Sequence, residues 1–139
     1  MVTKVAVGTD GSATAAEAVK AATEMARRFD AELILLGVYN DSARGAGDVD
    51  PERQWATSPS ARLREILART EAELRHDGVE CRTLTGEGDP GDVLVELTES
   101  CGADVLVIGN KGMHRRVLGS VPNTVTHRAP CSVFVVKTT

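Results

Sequence analysis

Short apolar runs alternate along the chain with stretches in which apolar residues recur every three to four positions. Val5-Ala6-Val7, bounded by Gly8 and Asp10, predicts a buried strand. Between Ser12 and Asp30 the apolar positions are Ala15, Ala18, Val19, Ala22, Met25, Ala26 and Phe29, which is helical spacing, with Ser12 or Asp10 available as N-cap. Leu33 to Val38 predicts a second buried strand. Residues 40–59 break the pattern and contain Trp55, either a lid over a bound ring or an anchor for a long loop. Helical spacing resumes at Leu63, Ile66, Leu67, Thr70 and Leu74, with Gly78 as a stop. Val79 to Thr85 predicts a more polar strand, as at a sheet edge. Asp89-Pro90 opens a helix carrying Val93, Leu94, Leu97 and Cys101, which Gly102 ends. Val105 to Ile108 predicts a strand. Leu118, Val121 and Val125 mark a short helix, and Ser132 to Val136 a last strand. Doubly apolar strands alternating with amphipathic helices predict a single α/β domain over residues 1–139, an open parallel sheet with helices on both faces. Ligands of such sheets bind at the carboxyl ends of the strands, here after Val7, Val38 and Ile108.

Composition narrows the function classes. With 42% hydrophobic and 26% charged residues, the chain reads as globular rather than disordered. No apolar run approaches the roughly 20 residues of a membrane span, and no signal-peptide pattern precedes the first strand. Three cysteines without a CxxC pair indicate neither a disulfide framework nor a zinc site, so the expected setting is a reducing cytoplasm. The net charge is −4, yet residues 105–139 lack Asp and Glu and carry Lys111, Arg115, Arg116, Arg128 and Lys137. A basic end on an acidic chain points to a local anion site. With 3% aromatic residues there is no stacking platform for single strands, and nucleic acid is not expected as a partner.

Gly109-Asn110-Lys111-Gly112 directly follows a strand, and Gly119-Ser120 opens the next helix. Glycines let amides face a ligand, and the helix N-terminus and Ser120 favour an anion such as phosphate. The competing reading is an ordinary loop with solvated basic residues. Asp10 could accept from ribose hydroxyls, help hold Mg²⁺, or simply cap the first helix. Gly86-Glu87-Gly88-Asp89-Pro90-Gly91 formally matches a dinucleotide fingerprint, but two carboxylates stand where pyrophosphate would lie, so a capped turn is expected. Neither a Walker A sequence nor a GxSxG elbow occurs. His76, His114 and His127 lack metal-ligand spacing: a solvated helix end is expected of His76, and additions to the basic patch of the other two. Cys81, Cys101 and Cys131 are expected to be small buried residues.

The chain resembles the universal stress protein family along its whole length. The resemblance is carried by Val7-Gly8-Thr9-Asp10-Gly11-Ser12, Gly88-Asp89-Pro90, Ala103 through Gly109, Leu118-Gly119-Ser120-Val121 and Ala129 through Val136. It implies a five-stranded parallel sheet of order 3-2-1-4-5, a homodimer through the last strand, and ATP or a related adenine nucleotide at the strand ends. It also implies that Asp10 contacts ribose, Val38 lines the adenine, and Gly109, Gly112, Gly119 and Ser120 contact phosphates. Thr9, Asn110, Lys111, Arg115 and Val121 complete the candidate set, with any Mg²⁺ carried by the nucleotide near Asp10. The family's phosphate pattern places nine residues before Gly-Ser, whereas six separate Gly112 from Gly119 here. The expected role is a nucleotide-binding sensor or regulator, at most a weak ATPase, because no residue stands as a base or arginine finger. An AMP or cyclic AMP receptor, or an interaction module that binds no nucleotide, are the alternatives.

Overall fold

The computed structural model describes residues 1–43, 58–110 and 118–138. In chain order the elements are β1 (Lys4–Gly8), α1 (Ala13–Phe29), β2 (Glu32–Tyr39), a 3₁₀ turn (Asp41–Ala43), α2 (Pro59–His76), β3 (Cys81–Glu87), α3 (Pro90–Cys101), β4 (Val105–Asn110), α4 (Ser120–Arg128) and β5 (Ser132–Lys137). The five strands form one parallel sheet in the order β3-β2-β1-β4-β5, as the resemblance implied. Val5 to Val7 pair with Leu33 to Leu35 on one side and with Val105 to Val107 on the other.

Successive residues of a strand point to opposite faces, so each apolar run feeds two cores. Val5, Val7, Leu33, Leu35 and Val107 pack under α1 and α2. Ala6, Ile34, Leu36, Leu106 and Ile108 pack under α3 and α4. α1 presents Ala15, Ala18, Ala22 and Ala26 to the sheet, short side chains that let the helix lie close. Phe29, expected on this face, is 52% exposed, because the apolar stripe runs out where Asp30 turns the chain into β2 with φ of 54°. Leu118 likewise stands exposed ahead of α4, whose buried face is Pro122 and Val125. β3 begins at Cys81, because Val79 is held in the turn that closes α2, its amide donating to the Leu74 carbonyl at 2.8 Å. The edge position of β3 is as expected.

Two contacts fix β1 and β4 against their surroundings. At the amino ends of the strands, Asp104 Oδ2 accepts from the amides of Thr3 (2.9 Å) and Lys4 (3.0 Å) and from Thr3 Oγ1 (3.1 Å). These bonds favour the charged carboxylate and hold its pKa below the ordinary value of 3.8. At the carboxyl ends, α1 comes so close to β4 that a Cβ on Gly109 would lie 2.8 Å from the Thr14 carbonyl oxygen and 2.6 Å from Thr14 Cγ2. Glycine is required there by packing.

Gly109→Ala should therefore cost about 1–3 kcal/mol, the usual range for forcing extra volume into a packed site. Urea unfolding checks this, and an unchanged midpoint would contradict it. For Asp104, a depressed folded pKa gives stability that is complete above the unfolded value and lost as pH falls through the folded one. Asp104→Asn should flatten the acid limb of a stability profile recorded between about pH 2 and pH 6. An acid limb equal to the parent's would show that Asp104 does not set it.

Candidate functional site

β1 connects outward through α1 to β2, whereas β3 crosses over through α3 to β4 on the other side of β1. The reversal leaves a crevice at the carboxyl ends of β1 and β4. A cavity of about 270 Å³ lies there, with Leu36, Val38, Leu94 and Ile108 among its apolar walls. Asp10 is the one charged side chain among the described residues that line it.

The turn after β1 is built from its own side chains. The Thr9 amide donates to the Leu36 carbonyl at 2.9 Å, and Thr9 Oγ1 accepts from the Gly11 amide at 3.2 Å. Asp10 Oδ1 accepts from the Ser12 amide at 2.9 Å, and Ser12 Oγ accepts from the Ala15 amide at 3.1 Å. Ser12 is thus the N-cap of α1, which settles the choice left by the sequence. Asp10 is exposed, and its second carboxylate oxygen has no partner among the described residues.

Opposite this turn, Gly109 lines the cavity and Asn110 is buried behind it. Asn110 Oδ1 accepts from the Gly119 amide at 2.9 Å. Gly119 and Ser120 lie exposed at the start of α4, and Val121 and Pro122 turn toward the cavity. The structure therefore gathers Thr9, Asp10, Val38, Gly109 and Val121 around one cavity, with Asn110, Gly119 and Ser120 at its margin. Lys111, Gly112 and Arg115 lie outside the described residues, as do His114, Arg116 and Trp55.

Several lining residues were not among the candidate site residues read from the sequence. Thr14 and Ala15 enter from the first turn of α1, and Pro90 and Leu94 from α3. The usable signal was positional: crossover helices start at the carboxyl edge of a parallel sheet, and α1, α3 and α4 reach the cavity from there.

The remaining motifs are structural. A Cβ on Gly86 would meet Val93 Cγ1 at 2.5 Å, and Asp89 caps α3 by accepting from the Asp92 amide at 3.2 Å. The stretch from Gly86 to Gly91 is a packed, capped turn, as expected. Cys101 is buried, while Cys81 and Cys131 are partly exposed. Burial pushes the thiols of Cys81 and Cys131 up, which disfavours the reactive thiolate. His76 is the exposed last residue of α2, and His127 lies in the last turn of α4, far from the end that borders the cavity. Among the described residues no group of three or more His, Cys, Asp or Glu side chains is placed to hold a metal, and no helix is long and apolar enough to cross a membrane.

The profile of the universal stress protein family matches residues 1–137. A universal stress protein of Mycobacterium tuberculosis, strain H37Rv, is 38% identical over 144 residues, which span 97% of this chain and 96% of that protein. A universal stress protein solved in complex with cAMP is 34% identical, with a TM-score of 0.70 and 99% of each chain covered. UspA from Lactobacillus plantarum is 26% identical, with a TM-score of 0.78 and 97% of each chain covered. Sheet order, strand-end crevice and sequence match along nearly the whole chain lead to one assignment: the protein belongs to the universal stress protein family.

Proposed function

We propose that the protein binds an adenine nucleotide in the cavity between β1 and β4 and acts as a ligand-responsive stress regulator. The observation that carries this reading is the cavity itself, an apolar slot with a single carboxylate at its lip. A volume of about 270 Å³ is at the low end for small-molecule sites. It suits a base and its ribose, with phosphate lying outside toward α4. The relative solved with cAMP supports the ligand class. On this reading the base lies against Val38 and Leu36, the outer oxygen of Asp10 accepts from ribose, and the first amides of α4 face phosphate. Any Mg²⁺ arrives with the nucleotide near Asp10. The proposed role is binding rather than phosphoryl transfer.

Titration calorimetry at one fixed salt concentration, with ATP, AMP and cyclic AMP, tests the reading. The short spacing from Gly112 to Gly119 limits the phosphate oxygens that can be wrapped, so AMP and cyclic AMP should bind within about tenfold of ATP. A hundredfold preference for ATP would contradict the loop-length argument, and no binding of any adenine nucleotide would favour an interaction module. Asp10→Ala should weaken all three ligands roughly tenfold or more, the cost of losing a hydrogen bond to a charged group. Asp10 is exposed and bonds only the Ser12 amide among the described residues, so the variant should still fold. Unchanged affinity in that variant would remove Asp10 from the site.

We also propose a homodimer through β5. This strand ends the sheet, and its Phe134 is 47% exposed. An unpaired apolar edge invites association, which a two-fold pairing satisfies. Val135 packs into the core beneath α4, whereas Phe134 faces away, so Phe134→Lys is the cleaner probe. Sedimentation should show a dimer for the parent and a folded monomer for Phe134→Lys. A concentration-independent monomer for the parent would refute the dimer.

A further inference from the structure

Asn110 is 1% exposed, yet its side chain spans nine residues of sequence to accept the Gly119 amide. Gly119 occupies the N-cap position of α4 and has no side chain with which to cap it. A local cap ties a helix to its own chain, whereas a cap from β4 ties it to the sheet. The Asn110 backbone is itself held, because its main-chain carbonyl accepts from Thr138 Oγ1 at 3.1 Å just beyond β5. Of the four leading amides of α4, Gly119's is thus taken, and Pro122 has none to offer. Those of Ser120 and Val121 remain, and neither has an acceptor among the described residues. Val121 and Pro122 line the cavity, so this first turn is the part of α4 that a ligand there meets.

Resting on the nucleotide-binding reading above, we infer that Asn110 is a positioning residue for phosphate. It does not touch the ligand. Its side-chain carbonyl holds the first turn of α4 against β4, so that the Ser120 and Val121 amides face one phosphate group of the nucleotide. The Gly119 amide, already committed, is not a phosphate donor. Asn110 and Gly119, both candidate contacts on sequence grounds, thus support the contact rather than make it.

Adenosine and AMP, titrated separately into the full chain, distinguish this role from a merely structural one. The parent should bind AMP more tightly than adenosine. Asn110→Ala should lower AMP affinity roughly tenfold and leave adenosine within about twofold. Equal losses for the two ligands, or no loss for either, would overturn the inference. Should Asn110→Ala not fold, amide exchange in the parent decides instead. The Gly119 amide should be protected without nucleotide, and AMP should then slow Ser120 and Val121 alone. A Gly119 amide that exchanges freely until AMP is added is a ligand contact, and the inference fails. If the parent binds neither compound, the proposed function falls and takes this inference with it. Tight AMP binding that ignores Asn110 overturns the inference alone.

Discussion

Strands β1, β2 and β4 are apolar on both faces, and this double-sided burial places every other element. Val5, Val7, Leu33 to Leu36, Leu106 and Val107 are each at most 1% exposed. At about 1.5–3 kcal/mol for each large aliphatic side chain removed from water, this burial is the largest stabilising contribution among the described residues. Both faces must then be covered, and parallel strands can be joined only by crossovers long enough to do it. Each crossover leaves from the carboxyl end of a strand. Hence α1, α3 and α4 all contribute their first turns to the same edge, and the crevice between β1 and β4 is where they converge. The candidate site is a geometric consequence of covering the sheet.

This origin explains why residues of the glycine loop serve the scaffold as well as a ligand. Gly109 is where α1 passes over β4, and Thr14 leaves no room for a Cβ. Its backbone also lines the cavity. Folding and binding are therefore entangled at Gly109, and a bulky substitution there reports on both. Asp10 is different. It stands in solvent, held among the described residues by one hydrogen bond from the Ser12 amide, and it belongs to neither core. Function is best probed where burial does not also vote.

The same distinction governs how much the sequence revealed. The strands, helix order and strand-end location were legible because apolar periodicity reports burial directly, and burial dominates this fold. Phe29 misled because periodicity says which way a residue faces, not whether sheet lies beneath it at a helix end. Ser12 and Asp10 were equivalent as caps until hydrogen-bond geometry separated them. Thr9, Asp10, Val38, Gly109 and Val121 were found because they follow strands or fit the family pattern. Thr14, Pro90 and Leu94 were missed because they are ordinary residues of helices, and only assembly brings them together. Asn110 was noticed for its neighbours, while its bond to Gly119 depends on a long-range approach that no local pattern encodes.

The proportions of the cavity bear on what kind of response the proposed site can give. Its walls are apolar and its lip is wet, so a nucleotide would bury its base and leave its phosphate partly hydrated. Burying the base gains from the hydrophobic effect without any charge being desolvated. Each phosphate bond to an amide exchanges one hydrogen bond for another made with water, and it nets less than its gross strength. Affinity would then rest mainly on the adenine, with phosphate acting as a modest discriminator. Among the described residues the lining supplies a single charge, Asp10, which is negative and lies at the solvent edge. On the proposed reading that charge repels phosphate, so among the described residues the attraction falls to the first amides of α4.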